Sequence, residues 1–140
     1  MRKELIAPCG MNCCICIAFL REKNKCTGCR CSDKNKPITI TQCKIRTCSK
    51  LNSNFCYDCK DFPCDKLNHL DKRYRTKYHM SMIENLKFIQ TNGISQFLKQ
   101  EEERWKCPDC GKVICCHNEI CYSCGLEKLK NKKYLYRWED

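Results

Sequence analysis

Apolar side chains are scarce in this chain. Leu, Ile, Val and Phe together supply 27 of its 140 residues, and valine occurs once. The nominal hydrophobic fraction of 42% counts 18 cysteines, and without them it falls to 29%. That content lies on the disordered side of the usual compositional boundary. Burying so few groups, at roughly 25 cal/mol per Å², does not offset the ordering entropy of a chain this long. A fold held by an ordinary apolar core alone is therefore excluded. The longest apolar run, Cys13 to Leu20, is eight residues, against the roughly 20 that a membrane-spanning helix needs. No membrane partner is expected. The opening residues, MRKELIAPCG, do not resemble a signal peptide, because no apolar stretch follows the basic residues.

Catalytic signatures are missing as well. There are no paired carboxylates, no glycine-rich phosphate loop and no hydrolase elbow. A cysteine nucleophile needs a base, and the three histidines, His69, His79 and His117, have no evident partner geometry. His69 and His79 sit among polar residues and are expected in solvent. These absences favour a protein that is not an enzyme.

Cysteine, by contrast, is abundant, in two clusters running from Cys9 to Cys64 and from Cys107 to Cys124. In a reducing compartment thiols stay free, so cysteines this dense are expected to be metal ligands of a cytoplasmic protein, not disulfides. Structural zinc contributes on the order of 10–16 kcal/mol per site in peptides, which supplies what the core lacks. Metal also changes the charge argument. Four thiolates around one divalent ion leave a net −2, so three such sites bring the formal +11 down to +5. The case for nucleic acid from charge alone is correspondingly modest.

The sharpest local signal is Cys107-Pro108-Asp109-Cys110-Gly111 with Cys121-Tyr122-Ser123-Cys124-Gly125. Each C-x-x-C-G is a knuckle that brings two thiolates to one ion, its glycine expected at φ > 0 beyond the second cysteine. The intervening residues allow a short hairpin through Lys112–Cys115 and Ile120–Tyr122, giving a zinc ribbon; rubredoxin-like iron is the local alternative. Cys115, Cys116 and His117 are too close in sequence to converge on one ion without strain. They are expected to be a buried thiol, an exposed thiol and a loop histidine.

The N-terminal cluster holds three C-x-x-C pairs, Cys13/Cys16, Cys26/Cys29 and Cys56/Cys59, with single cysteines at Cys9, Cys14, Cys31, Cys43, Cys48 and Cys64. The first two pairs are close enough to close one site. Cys56/Cys59 needs two more ligands, most simply from Cys43, Cys48 and Cys64, and interleaved groupings satisfy the spacing equally well. Four-ligand counting over the whole chain gives about three zinc ions. Cysteine-only ligation also suits an iron–sulfur cluster in electron transfer.

Between the clusters, residues 65–106 contain no cysteine and read as helical. Leu67, Leu70, Tyr74 and Tyr78 share one face. Ser81-Met82-Ile83-Glu84 matches a capping box, Met82, Leu86 and Ile89 follow at helical spacing, and Asn92-Gly93 is a stop signal. Ile94, Phe97, Leu98 and Trp105 form another stripe, expected as core. In the tail, Lys128, Lys130, Lys132 and Lys133 precede Tyr134, Tyr136 and Trp138 in alternation. This pattern suits a short strand packed on the ribbon, or a stacking platform for single-stranded nucleic acid.

In order, Cys9-Gly10-x2-Cys13-x2-Cys16, Cys26-x-Gly28-Cys29, Cys43-x4-Cys48, Cys56-x2-Cys59, Asp61-Phe62-Pro63-Cys64, Met82-Ile83-x-Asn85-Leu86 and Arg104-Trp105-Lys106-Cys107-Pro108 make a specific series. The series resembles a prokaryotic family of small cysteine-rich, predicted zinc-binding proteins, domain of unknown function 3795, over about residues 5–125. The resemblance implies metal binding and a cytoplasmic prokaryotic setting, and it supplies no reaction. Cys14, Cys31, Cys115 and Cys116 stand outside its pattern. The expected architecture is a small metal-stapled protein, α plus irregular and short β. It comprises a cysteine-rich module (1–64), a helical segment (65–106) and a zinc ribbon with a basic, aromatic tail (107–140). Its expected role is a non-enzymatic binding or adaptor module for a protein partner, with nucleic-acid binding and electron transfer as alternatives.

Overall fold

The computed structural model describes residues 1–51 and 55–127; the tail pattern from Lys128 onward lies outside them. Two single-turn helices, α1 (Ile17–Leu20) and α2 (Ile38–Thr41), sit in the otherwise irregular N-terminal half. They are followed by α3 (Asp65–Tyr78), α4 (Met82–Asn92) and α5 (Ile94–Arg104). Short 3-10 turns occupy Lys3–Leu5, Cys13–Ile15 and Cys56–Asp58. The expected short β content is corrected: among the described residues there is no sheet, only isolated antiparallel bridges at Ile6/Asn12, Lys106/Val113 and Ile114/Cys121. None of the described helices is long and apolar enough to cross a membrane.

The three longer helices follow their sequence signals. Leu67 is fully buried, with Leu70, Tyr74 and Tyr78 packed beside it on α3. His79, at φ 53°, ends that helix in the left-handed region. Ser81 caps α4 by accepting the Glu84 N–H at 3.0 Å. The reciprocal half of the capping box is absent, because the Glu84 carboxylate is drawn to Arg75 instead, at 3.4 Å. Gly93, at φ 87°, stops α4 and starts α5 at once, so the two helices fold back with Ile89 and Phe97 buried between them.

One apolar cluster draws on every part of the chain. It joins Leu5, Met11 and Ile15 from the N-terminal half, Leu67, Met82 and Leu86 from the helices, and Cys116 from the C-terminal loop. Among the described residues, seven of the 22 buried apolar positions are cysteine, so thiols stand where another small protein would place valine.

Two buried carboxyls tie the layers together, with opposite consequences for stability. Asp71 accepts from the Ser81 hydroxyl at 2.7 Å, the Ile83 N–H at 3.0 Å and Arg75 Nε at 2.5 Å, clamping α3 to the start of α4. Burial works to raise its pKa, but these three donors together hold it below the usual value. Its contribution is therefore present above the ordinary carboxyl pKa and lost only as pH falls through its own lower value. Glu101, 2% exposed, accepts from Asn12 Nδ2 at 3.2 Å and thereby joins α5 to the N-terminal turn. Burial raises its pKa against the opposing help of Asn12 and Arg104. Stability from this group is present below the ordinary value and lost as pH rises through the raised one. Glu101→Gln keeps an acceptor for Asn12 without the charge. Its stability advantage over wild type should grow as pH rises from the ordinary glutamate value through the raised one, read in urea melts. A flat difference across that range would show that Glu101 is not the titrating group.

Candidate metal centre

Beyond α5 the chain pairs Lys106 with Val113, so that the Cys107 N–H reaches the Lys112 carbonyl at 2.7 Å and the Ile114 N–H reaches Trp105 at 2.8 Å. The turn between them is the first knuckle. Gly111 takes φ 76° and returns its N–H to the Cys107 carbonyl at 2.9 Å, as its position in the motif implies. The second knuckle closes similarly, Gly125 N–H to Cys121 carbonyl at 2.9 Å. The expectation of φ > 0 fails at Gly125, which is not among the positive-φ glycines. Space explains this glycine instead: a Cβ there would lie 2.8 Å from the Cys121 carbonyl oxygen.

These turns bring the Sγ atoms of Cys107, Cys110, Cys121 and Cys124 within 4.8 Å of one another. Cys107 and Cys124 are 3.6 Å apart, and Cys110 and Cys121 are 3.5 Å apart. Tetrahedral zinc at about 2.3 Å from each sulfur requires sulfur–sulfur edges of about 3.8 Å. The donor set therefore fits one tetrahedral ion, with Cys107 and Cys121 on the buried side and Cys110 and Cys124 exposed. The sulfurs share protons unequally. Against its burial, the N–H groups of Cys124 and Ser123 and the thiols of Cys110 and Cys107 bring Cys121 down to about 7. Hydrogen bonds with Cys107, Cys110 and Cys121 push Cys124 up to about 12. A cation would stabilise all four as thiolates, as zinc sites require.

Cys115, Cys116 and His117 are not among the ligand atoms gathered at this centre, and Cys116 Sγ lies 3.5 Å from His117 Nδ1. Both thiols are buried, at 0% and 3% exposure, which corrects the expectation that one lies in solvent. The Cys116 N–H bonds the Ile15 carbonyl at 2.9 Å. His117 Nδ1 accepts the Ile17 N–H at 3.2 Å, so Nε2 carries the proton and faces the Tyr74 hydroxyl at 3.2 Å. The ring stands edge-on to Tyr74 and Tyr78, with centroids at 5.9 and 4.8 Å. Burial, with Arg73 nearby, lowers its pKa to about 4. Both nitrogens are committed, and the residue works as a neutral wedge. His69 and His79 are exposed, as expected.

In the N-terminal half no second set of three ligating atoms among the described residues lies within 4.8 Å. The sequence-based grouping of Cys13 and Cys16 with Cys26 and Cys29 is not drawn together to that distance. The Cys29 N–H does approach Cys13 Sγ at 3.4 Å, and the Gly28 N–H approaches Cys26 Sγ at 3.4 Å. The hydrogen bond from Cys13 brings Cys29 down to about 7, helped by Lys36, Arg46 and Arg30. Burial pushes Cys9 up to about 12, and Cys29, Cys56 and Cys43 surround it. Burial likewise raises Cys16 to about 11, beside Cys29 and Cys115. Cys14 is buried and Cys31 exposed. Cys43, Cys48, Cys56, Cys59 and Cys64 are all partly exposed.

Asp71, Asn12 and Glu101 were not singled out from sequence. Their signal was weak: a charged residue within Asp71-Lys72-Arg73 looks solvated, and only the three-dimensional neighbours bury it.

No curated protein and no solved structure matches the chain. A family model does match, over residues 5–69, a stretch that holds all twelve N-terminal cysteines and stops short of α4, α5 and the C-terminal cluster that the wider resemblance took in. Over residues 5–69 the chain carries the domain described as Protein of unknown function (DUF3795).

Proposed function

We propose that this protein is a non-enzymatic binding or adaptor module stapled by structural zinc, about three ions per chain by four-ligand counting. The observation behind this reading is the closure of the Cys107, Cys110, Cys121 and Cys124 sulfurs within 4.8 Å. Four sulfurs saturate a tetrahedral ion and leave no position for substrate or water. Zinc in such a centre shapes the surface offered to a partner and takes no part in a reaction. The partner is expected to be another protein.

Elemental analysis of reduced protein purified without added metal tests the reading. Colourless protein with about three equivalents of zinc is expected. Cys107→Ser should lose one equivalent and Cys116→Ser none, because the knuckles already fill the ion and Cys116 Sγ lies beside His117 Nδ1 at 3.5 Å. Visible absorbance with one or more equivalents of iron in anaerobic samples would replace zinc by an electron-transfer reading. A salt-dependent shift with oligonucleotides would replace the protein partner by nucleic acid.

A further inference from the structure

A small cavity that the C-terminal centre does not use lies among residues of the stretches 45–51 and 56–67. Its walls include the four cysteines Cys48, Cys56, Cys59 and Cys64, with Ile45 and Leu67 beneath. Its volume of about 30 Å³ leaves room for an ion and little more. Each cysteine is presented by a distinct backbone feature. Cys56 opens the 3-10 turn that ends at Cys59, whose N–H returns to the Cys56 carbonyl at 3.1 Å, the geometry of a two-thiol knuckle. Cys64 caps α3 with extended backbone. Cys48 closes the turn that begins at Ile45, its N–H 3.2 Å from the Ile45 carbonyl. The knuckle is fixed to the N-terminal turn, the Cys56 N–H meeting the Pro8 carbonyl at 3.0 Å.

From this placement we infer a second four-sulfur metal site formed by Cys48, Cys56, Cys59 and Cys64, taking a thiophilic divalent ion such as zinc. The site rests on the metal-stapled reading given above and names ligands that sequence spacing left open. Cys43, the other candidate, is not among the residues that line this cavity and lines the neighbouring open groove instead. All four thiols border the same cavity, where four thiolates would repel one another. A divalent cation reverses that opposition. Lys50 and Lys66 border the cavity as well, and Lys50 is paired with Asp61 at 2.6 Å on the exposed rim. These sulfurs are more loosely spaced than those of the C-terminal centre, and binding would draw them in around the cavity.

The test is zinc per chain in wild type, Cys59→Ser, Cys107→Ser, the double variant and the exposed-thiol control Cys31→Ser, all reduced and purified without added metal. One equivalent should be lost in each single variant at Cys59 and Cys107, two in the double variant and none in the control. A Cys59→Ser protein with its full complement, while Cys107→Ser loses one, would overturn this site and leave the C-terminal centre standing. The converse pattern would remove the C-terminal centre and keep this one. Should Cys59→Ser fail to fold, cadmium-113 NMR of the wild-type chain decides. At least two all-sulfur resonances are expected, and a single one would overturn the proposal.

Discussion

Chelation of the reduced protein should unfold residues 1–64 and 107–125 and leave only residual helicity in the middle of the chain. The magnitudes decide this. A structural zinc site is worth on the order of 10–16 kcal/mol in peptides, whereas whole domains are stable by only about 5–15 kcal/mol. Losing one site would consume the margin. Little stands behind it, because seven of the 22 buried apolar positions are cysteine and no sheet ladder bridges the described halves. The residual helix should come from α4 and α5, which carry their own Ser81 cap and Gly93 stop and pack Ile89 against Phe97. Isolated helices of 11 residues are marginal in water, so this remnant should be partial. Far-ultraviolet circular dichroism and amide dispersion, before and after verified metal removal, provide the measurement. Unchanged spectra would mean that side-chain packing alone holds the fold.

Replacing Gly10 by alanine should be strongly damaging, at about 2–5 kcal/mol. Two effects add. Gly10 has φ 89°, in the left-handed region, which costs an L-residue roughly 1–2 kcal/mol. A Cβ there would also lie 2.8 Å from the Met82 carbonyl oxygen and 2.9 Å from Leu86 Cγ. Neither contact can yield cheaply, since one is helix backbone and the other is a fully buried side chain; overpacking of this kind costs about 1–3 kcal/mol. Moving the turn away would also break the bond from Asn85 Nδ2 to the Gly10 carbonyl, 3.0 Å and buried. Gly93 provides the control. Its φ is nearly the same at 87°, but nothing lies within 4 Å of a Cβ at that position. Gly93→Ala should therefore show the strain without the collision, and urea midpoints of the two zinc-loaded variants should differ by at least about 1 kcal/mol in stability. Equal losses would show that the turn does not press on α4.

What could be read from the sequence was whatever is encoded locally. Leu67, Leu70, Tyr74 and Tyr78 recur at helical spacing, and Ser81 and Gly93 mark the ends of α4 by their own chemistry. The knuckles at Cys107/Cys110 and Cys121/Cys124 carry their geometry in a five-residue motif. The docking of Cys116 and His117 on Ile15 and Ile17 was not legible, because it joins residues about a hundred positions apart and no spacing rule reaches that far. The N-terminal thiols failed for the opposite reason. Twelve thiols of one chemical type satisfy many groupings, and spacing does not show that Cys48, Cys56, Cys59 and Cys64 border one cavity while Cys43 does not. Gly125 was read for the wrong property, since its role is to leave room for the Cys121 carbonyl.

The wedge of His117 between Tyr74, Tyr78 and the Ile17 amide bears on how the chain is made. Ribosomes add residues at about 5–20 per second, so the cradle around Ile15 and Ile17 emerges several seconds before the loop that fills it. Throughout that interval the docking face around Ile15 and Ile17 stays uncovered. On the metal-stapled reading proposed above, metal supplied to the growing polypeptide before the last loop leaves the ribosome should raise the yield of folded protein.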